Sequence, residues 1–161
     1  MRLIRSTVFW QAVGLGFLAG MRSMSALAFV SHHLRHRPAG GFTQAPLRWL
    51  QTPLVAHGLK LLAGAEMLGD KLPAMPARTA PVSVAGRTLS GALAGAVLYK
   101  LNRQKLLRGA LVGGTAAAAG TFAAFHLRRL ADQQTDLQEP WTGFVEDALV
   151  FSGGKLLLGR S

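Results

Sequence analysis

Cysteine is absent from the chain, and with it go every disulfide framework, thiolate metal site and cysteine nucleophile. Charge is scarce too: 16% of the residues are Asp, Glu, Lys or Arg, and 7 of the 161 are acidic. Soluble domains carry charge on about a quarter of their residues, so a large solvated surface is not what this composition builds. Half of the residues are hydrophobic, and mean hydropathy is +0.27, which is high for a chain with 19 glycines. The length suits one domain better than two. These features point to a single membrane domain spanning 1–161.

The net charge of +11 raises a second partner class, because clustered Lys and Arg supply the phosphate-binding term of nucleic-acid recognition. Their placement argues against nucleic acid. The cations fall in short groups between apolar runs, at Arg2/Arg5, Arg35/Arg37, Arg103/Lys105/Arg108 and Arg128/Arg129. That is the spacing of anchors beside membrane segments, which favour the cytoplasmic side and anionic headgroups. The expected partners are therefore the lipid bilayer and its anionic lipids, with no nucleic acid. Cations flank nearly every segment, so the topology stays open.

The N-terminal run from Thr7 to Met21, preceded by Arg2 and Arg5, also has the make-up of a signal peptide, with Ala26-Leu27-Ala28 as a cleavage-like triplet. Against that reading stand Arg22 and the Gly16/Gly20 spacing, which lets a second helix backbone approach closely. A first segment over about Ser6–Leu34 is long enough to cross a bilayer core of about 30 Å. Arg22 near its middle is costly in lipid unless it meets a partner or water, which makes it a candidate site residue; a purely structural counter-charge is the competing reading. His32 and His36 share a helix face. A metal site there lacks a third ligand, and a solvated basic helix end is the simpler reading.

After a Gly/Pro connector comes a second segment, Pro53–Leu72, on which Glu66 and Asp70 share a face and repel. Either they meet cations, with Lys71, Arg78, Arg87 and Arg22 available, or they sit at an aqueous rim. Between Arg87 and Lys100 lie twelve uncharged residues, about 18 Å of helix. This is either a short tilted span or a half-helix whose start, Thr88-Leu89-Ser90-Gly91, presents a positive dipole end. Gly91 and Gly95 repeat the small-residue spacing. A fourth segment, Gly109–Phe125, is uncharged, with small residues at Gly109, Gly113 and Gly120. The last, Gly143–Leu158, opens with Glu146-Asp147, which suits a helix first turn. Polar connectors are expected at 35–52, 73–86 and 130–142. A small-residue helix followed by an acidic pair occurs twice, so half-repeats at 7–73 and 107–158 are one reading; identity between them is weak.

Five blocks in order, GMRSMSALAF from Gly20, GAEMLGDKLPAMPARTAP from Gly64, GRTLSGALAGA from Gly86, GTFAAFHLRR from Gly120 and VEDALV from Val145, closely resemble the domain-of-unknown-function 4126 family of small bacterial membrane proteins. The resemblance covers about residues 10 to 157. It implies Arg22, Glu66, Asp70, Lys71, Pro73, Arg78, Arg87, Glu146 and Asp147 as signature positions, and it implies no activity.

The expected fold is all-α, a polytopic membrane bundle of about four to five glycine-packed helices, some short or broken. The expected location is the inner (cytoplasmic) membrane, multi-pass. Three roles stay open. The first is a small transporter or flippase-like protein holding an anion or phosphorylated headgroup at Arg22, Arg78 and Arg87, its carboxylates coupling protons. The second is a scaffold or assembly protein whose charges are structural ion pairs and whose small-residue faces make homo-oligomers. An enzyme is the weakest, since neither a catalytic triad nor a phosphate loop stands out. No cofactor and no metal are called for.

Overall fold

The computed structural model describes residues 2–36, 50, 52–69, 81–134, 148, 150, 152–154 and 157. Among them there is no strand. The described residues form five long helices: α1 (Arg2–Met21), α2 (Ser23–His36), α3 (Pro53–Gly69), α4 (Pro81–Leu101) and α5 (Leu106–Gln134). The described residues between 148 and 157 are helical as well. Both α3 and α4 open on proline, whose missing N–H and fixed φ suit a first helical position. Ahead of α3, the Thr52 carbonyl accepts the first helical bond, from Ala56 N at 3.1 Å, with a residue type favoured at caps.

Small residues decide how the helices meet. A Cβ on Gly95 would stand 2.3 Å from Gly109 O, and one on Gly113 would stand 2.2 Å from Gly91 O. So α4 and α5 run antiparallel with their backbones in contact. α1 lies against both. A Cβ on Gly16 would stand 2.4 Å from Gly113 O, one on Gly20 2.2 Å from Ala117 O, and one on Gly120 2.5 Å from Phe17 O. Rising numbers on α1 therefore meet rising numbers on α5, and the two helices are parallel. The apolar core draws on every helix: Val8, Ala12, Leu15 and Ala19 of α1, Ala26, Leu27, Val30 and Leu34 of α2, Leu59 of α3, Val97 and Leu98 of α4, and Ala117 of α5. On α1 these residues recur every three or four positions, one stripe of a helix.

The first segment is not one helix. It breaks at Arg22, and the axis turns there: Phe29 packs against Gly154, while Leu157, three residues later in the chain, packs against Gly14. A straight continuation would carry Phe29 roughly 22 Å beyond Gly14, out of reach of both contacts.

The third segment also differs from expectation. Its helix starts at Pro81, so Thr88–Gly91 is helix interior rather than a dipole end, and α4 has 21 residues, roughly 30 Å. In the sequence Arg87 reads as a boundary because a charge ends the apolar count. It is instead buried within the helix, at 5% exposure. Likewise α5 extends on both sides of Gly109–Phe125, and residues 35–36, 81–86 and 130–134, assigned to connectors, are helical. The helices Pro81–Leu101 and Leu106–Leu127 are long and apolar enough to cross a membrane.

A turn of four residues joins α4 to α5. Gln104 N donates to Tyr99 O at 2.8 Å and Arg103 N to Lys100 O at 3.0 Å, the paired bonds of a Schellman cap. That cap places Arg103 at φ 54°, where glycine is the usual occupant. Arg103→Gly removes a Cβ penalty of about 1–2 kcal/mol and returns part of it as unfolded-chain entropy. Thermal unfolding in detergent should show a net gain of about 0.5–1 kcal/mol.

Candidate functional site

A helix that stops and restarts within one residue leaves two sets of unsatisfied backbone groups, carbonyls at the end of the first part and amides at the start of the second. At Arg22 both sets are met by residues from distant parts of the chain. The Arg22 amide itself closes α1, donating to Leu18 O at 2.8 Å. The Gly20 carbonyl accepts from Arg87 Nη1 of α4 at 3.3 Å and from Thr121 Oγ1 of α5 at 3.1 Å. Thr121 has one hydroxyl proton, and Ala117 O competes for it at 2.9 Å.

On the other side of the break, Glu66 of α3 receives three donors. Ser23 N and Ser23 Oγ reach Oε1 at 3.0 and 2.9 Å, and Met24 N reaches Oε2 at 3.0 Å. Ser90 Oγ of α4 donates to Ser23 O.

The charges follow the helix dipoles. The end of α1 carries partial negative charge and receives a guanidinium, while the start of α2 carries partial positive charge and receives a carboxylate. Arg22 lies between them at 3% exposure, its Nε and Nη1 atoms out of solvent contact. Arg87 is buried beside it and Glu66 is half-buried. Among the described residues, three donors meet the two Glu66 oxygens.

Three helices, α3, α4 and α5, thus converge with the α1–α2 break on one polar centre. Further from it, Ser31 Oγ donates to Leu50 O at 2.6 Å and Gln11 Nε2 to Leu157 O at 2.8 Å.

The structure brings Arg22, Glu66 and Arg87 together. The sequence pairs Glu66 with Arg22; the contact Glu66 makes is with the two amides that follow Arg22. Asp70, Lys71, Arg78, Glu146 and Asp147 lie outside the described residues. Gly16, Gly20, Gly91, Gly95, Gly109, Gly113 and Gly120 all face neighbouring helices of the same chain. His32 is exposed, its Nδ1 3.2 Å from Lys60 Nζ.

Two members of the centre escape a reading of the sequence. Ser90 figures there only as part of a helix start. Thr121 passes as one small residue among many, although a hydroxyl in an uncharged span is the signal that it bonds across helices.

A model of a known protein family matches the chain. It is described as "Domain of unknown function (DUF4126)", and it covers residues 10–158. The chain belongs to this family. All the described members of the polar centre, Arg22, Ser23, Met24, Glu66, Arg87, Ser90 and Thr121, fall inside the matched span. No curated protein and no solved structure is significantly similar to this family member.

Proposed function

We propose that the protein is a multi-pass protein of the inner (cytoplasmic) membrane, and that it acts as a small transporter or flippase-like protein with its broken-helix centre as the site for an anion or phosphorylated lipid headgroup. The observation that carries this reading is the inside-out arrangement of side chains around an interrupted helix. Arg22, Arg87, Ser90 and Thr121 are buried, while Leu54 is 83%, Val82 84% and Leu107 69% exposed. Water would penalise that surface, and hydrocarbon would not. Trp10, 66% exposed on α1, suits an interfacial position.

The depth of the break fits the same reading. Arg87 lies fourteen residues before the end of α4, so the centre sits roughly 20 Å along a hydrocarbon core of about 30 Å. Buried cations at such depth are rare outside substrate and ion pathways, and interrupted helices are where transporters place their sites.

A second reading has its own support. Glu66, Arg87, Ser90 and Thr121 are each already bonded to backbone groups of the same chain, as in a scaffold held in register by structural charges. Since the packing glycines are occupied internally, self-association in that reading uses another face.

Reconstitution separates the two. Proteoliposomes are assayed for inorganic phosphate uptake and for flipping of a fluorescent anionic phospholipid, beside protein-free vesicles. The transport reading expects one of these to exceed the blank and to fall at least ~10-fold in Arg22→Gln, the change that about 1.4 kcal/mol of lost binding produces, with the monodisperse fraction in detergent retained. No movement by the wild-type chain, or loss of folded protein in parallel with loss of movement, favours the scaffold.

A further inference from the structure

The helix directions collect the cations of three elements at one end of the bundle. Because α1 is parallel to α5 and antiparallel to α4, as the backbone approaches at Gly16, Gly20, Gly91 and Gly95 require, the start of α1, the end of α4 and the start of α5 lie at the same end. That end carries Arg2 and Arg5 on α1, Lys100 closing α4, Arg103 and Lys105 in the turn, and Arg108 in the first turn of α5. Lys100, Arg103, Lys105 and Arg108 are all exposed. No acid offsets them in sequence: none precedes Glu66, and none lies between Asp70 and Asp132. The opposite end of the α4–α5 pair is different. The first turns of α4, Pro81–Gly86, are uncharged, and the far end of α5 carries Arg128 and Arg129 together with Asp132.

Two rules act on such an asymmetry. Lys and Arg in short loops beside membrane segments are retained on the cytoplasmic side, and a four-residue turn between two spans is as short as such loops come. Exposed cations clustered at a membrane surface are attracted by anionic headgroups, which the cytoplasmic leaflet displays. The Schellman cap adds a local argument: it holds Arg103 at φ 54°, a conformation that costs a non-glycine residue energy, so a long cation stands at the tip of the turn where a glycine would be the cheaper occupant.

We infer that the end of the bundle bearing the α4–α5 turn is the cytoplasmic end, and that Lys100, Arg103, Lys105 and Arg108 rest on anionic phospholipid headgroups there. The inference rests on the membrane reading above, and it adds an orientation and a lipid-contact surface. It also places the start of α1 on the cytoplasmic side.

The chain has no cysteine, so one introduced thiol reports one position. In Gln104→Cys, a membrane-impermeant maleimide should leave intact cells unlabelled and label the turn after lysis. The fourfold variant Lys100→Gln, Arg103→Gln, Lys105→Gln, Arg108→Gln in the same background should be labelled from both sides. In phosphatidylcholine vesicles, a bimane on the thiol of the Gln104→Cys chain should shift its emission to shorter wavelength when phosphatidylglycerol is included, and the fourfold variant should lose that shift. Labelling of intact cells by Gln104→Cys protein that stays in carbonate-washed membranes overturns the inference alone. Recovery of the protein in the carbonate supernatant removes the membrane reading and the inference together. An emission unchanged by phosphatidylglycerol overturns the lipid contact even where the orientation holds. The single-cysteine chain answers both questions whether or not the fourfold variant folds.

Discussion

Gly113→Ala is expected to cost about 3 kcal/mol or more of stability, a large part of what a small domain has. The added Cβ would stand 2.2 Å from Gly91 O and 3.1 Å from both Gly91 C and Gly95 Cα. All three are backbone atoms of α4, so no rotamer change relieves the overlap and the helix itself must move away. Moving it breaks more than one contact, because Gly113 O is also the atom nearest to Gly16 of α1. The loss falls on dispersion contacts, which decline steeply with separation and which carry helix association where lipid replaces water.

Two controls isolate the effect. At Gly114 the nearest atom to an added Cβ is Ala92 Cβ at 3.4 Å, an ordinary contact, and at Gly64 of α3 nothing lies within 4 Å. Gly114→Ala should therefore be near neutral, and Gly64→Ala should gain roughly 1 kcal/mol from helix propensity. Thermal unfolding in one detergent, read as Tm and monodisperse fraction, orders the three variants. If Gly113→Ala unfolds with Gly114→Ala, the backbone contact between α4 and α5 is not as described.

What the sequence let one read and what it hid divide along a physical line. The helices were legible where period and small residues are local properties, as at Gly91/Gly95 and Gly109/Gly113. Arg22, Glu66 and Arg87 were legible because a charge inside an apolar stretch must find a partner. The break at Arg22 was not legible. No proline lies at the break, Gly20 reads as a packing position like Gly16, and Met21, Ser23 and Met24 continue a helical pattern. What makes the interruption tolerable is Glu66, Arg87 and Thr121, between 43 and 101 residues away, and a local window does not contain them. The early start of α4 was hidden for a related reason. Arg87 ended the count of uncharged residues, and only a fold that places a carbonyl beside its guanidinium lets the helix continue through it.

This division explains why the centre is also the part most exposed to substitution. A continuous helix satisfies its own backbone, whereas a broken one depends on side chains that other helices deliver to within hydrogen-bond reach. The groups freed at Gly20 and Ser23 are held by α3, α4 and α5 at once. Removing any one of them is felt at the junction of all the others.

Glu66→Ala is the sharpest case. It leaves Ser23 N, Ser23 Oγ and Met24 N without their acceptor, and it takes the negative charge from the start of α2. Each buried donor left unsatisfied costs about 1–3 kcal/mol. Ser23 Oγ can rotate toward another acceptor, so two amides set the scale, and a total of about 3–5 kcal/mol is expected, with α2 fraying from Ser23. Glu66→Gln should be intermediate. Its amide oxygen can keep the Ser23 donors, but its NH₂ then faces Met24 N–H, one donor against another. Glu66→Asp keeps the charge and shortens the reach by one methylene, so it should lose part of the cap geometry and retain the dipole term of about 0.3–1 kcal/mol. The order Glu, Asp or Gln, Ala in Tm is one readout. A second is amide hydrogen exchange, in which Ser23 and Met24 should lose protection first and the α4–α5 pair last. A Glu66→Ala chain as stable as the parent, with unchanged exchange at Ser23 and Met24, would remove the carboxylate from the role described here. Loss confined to those amides would identify it as the cap that allows the helix to break at Arg22.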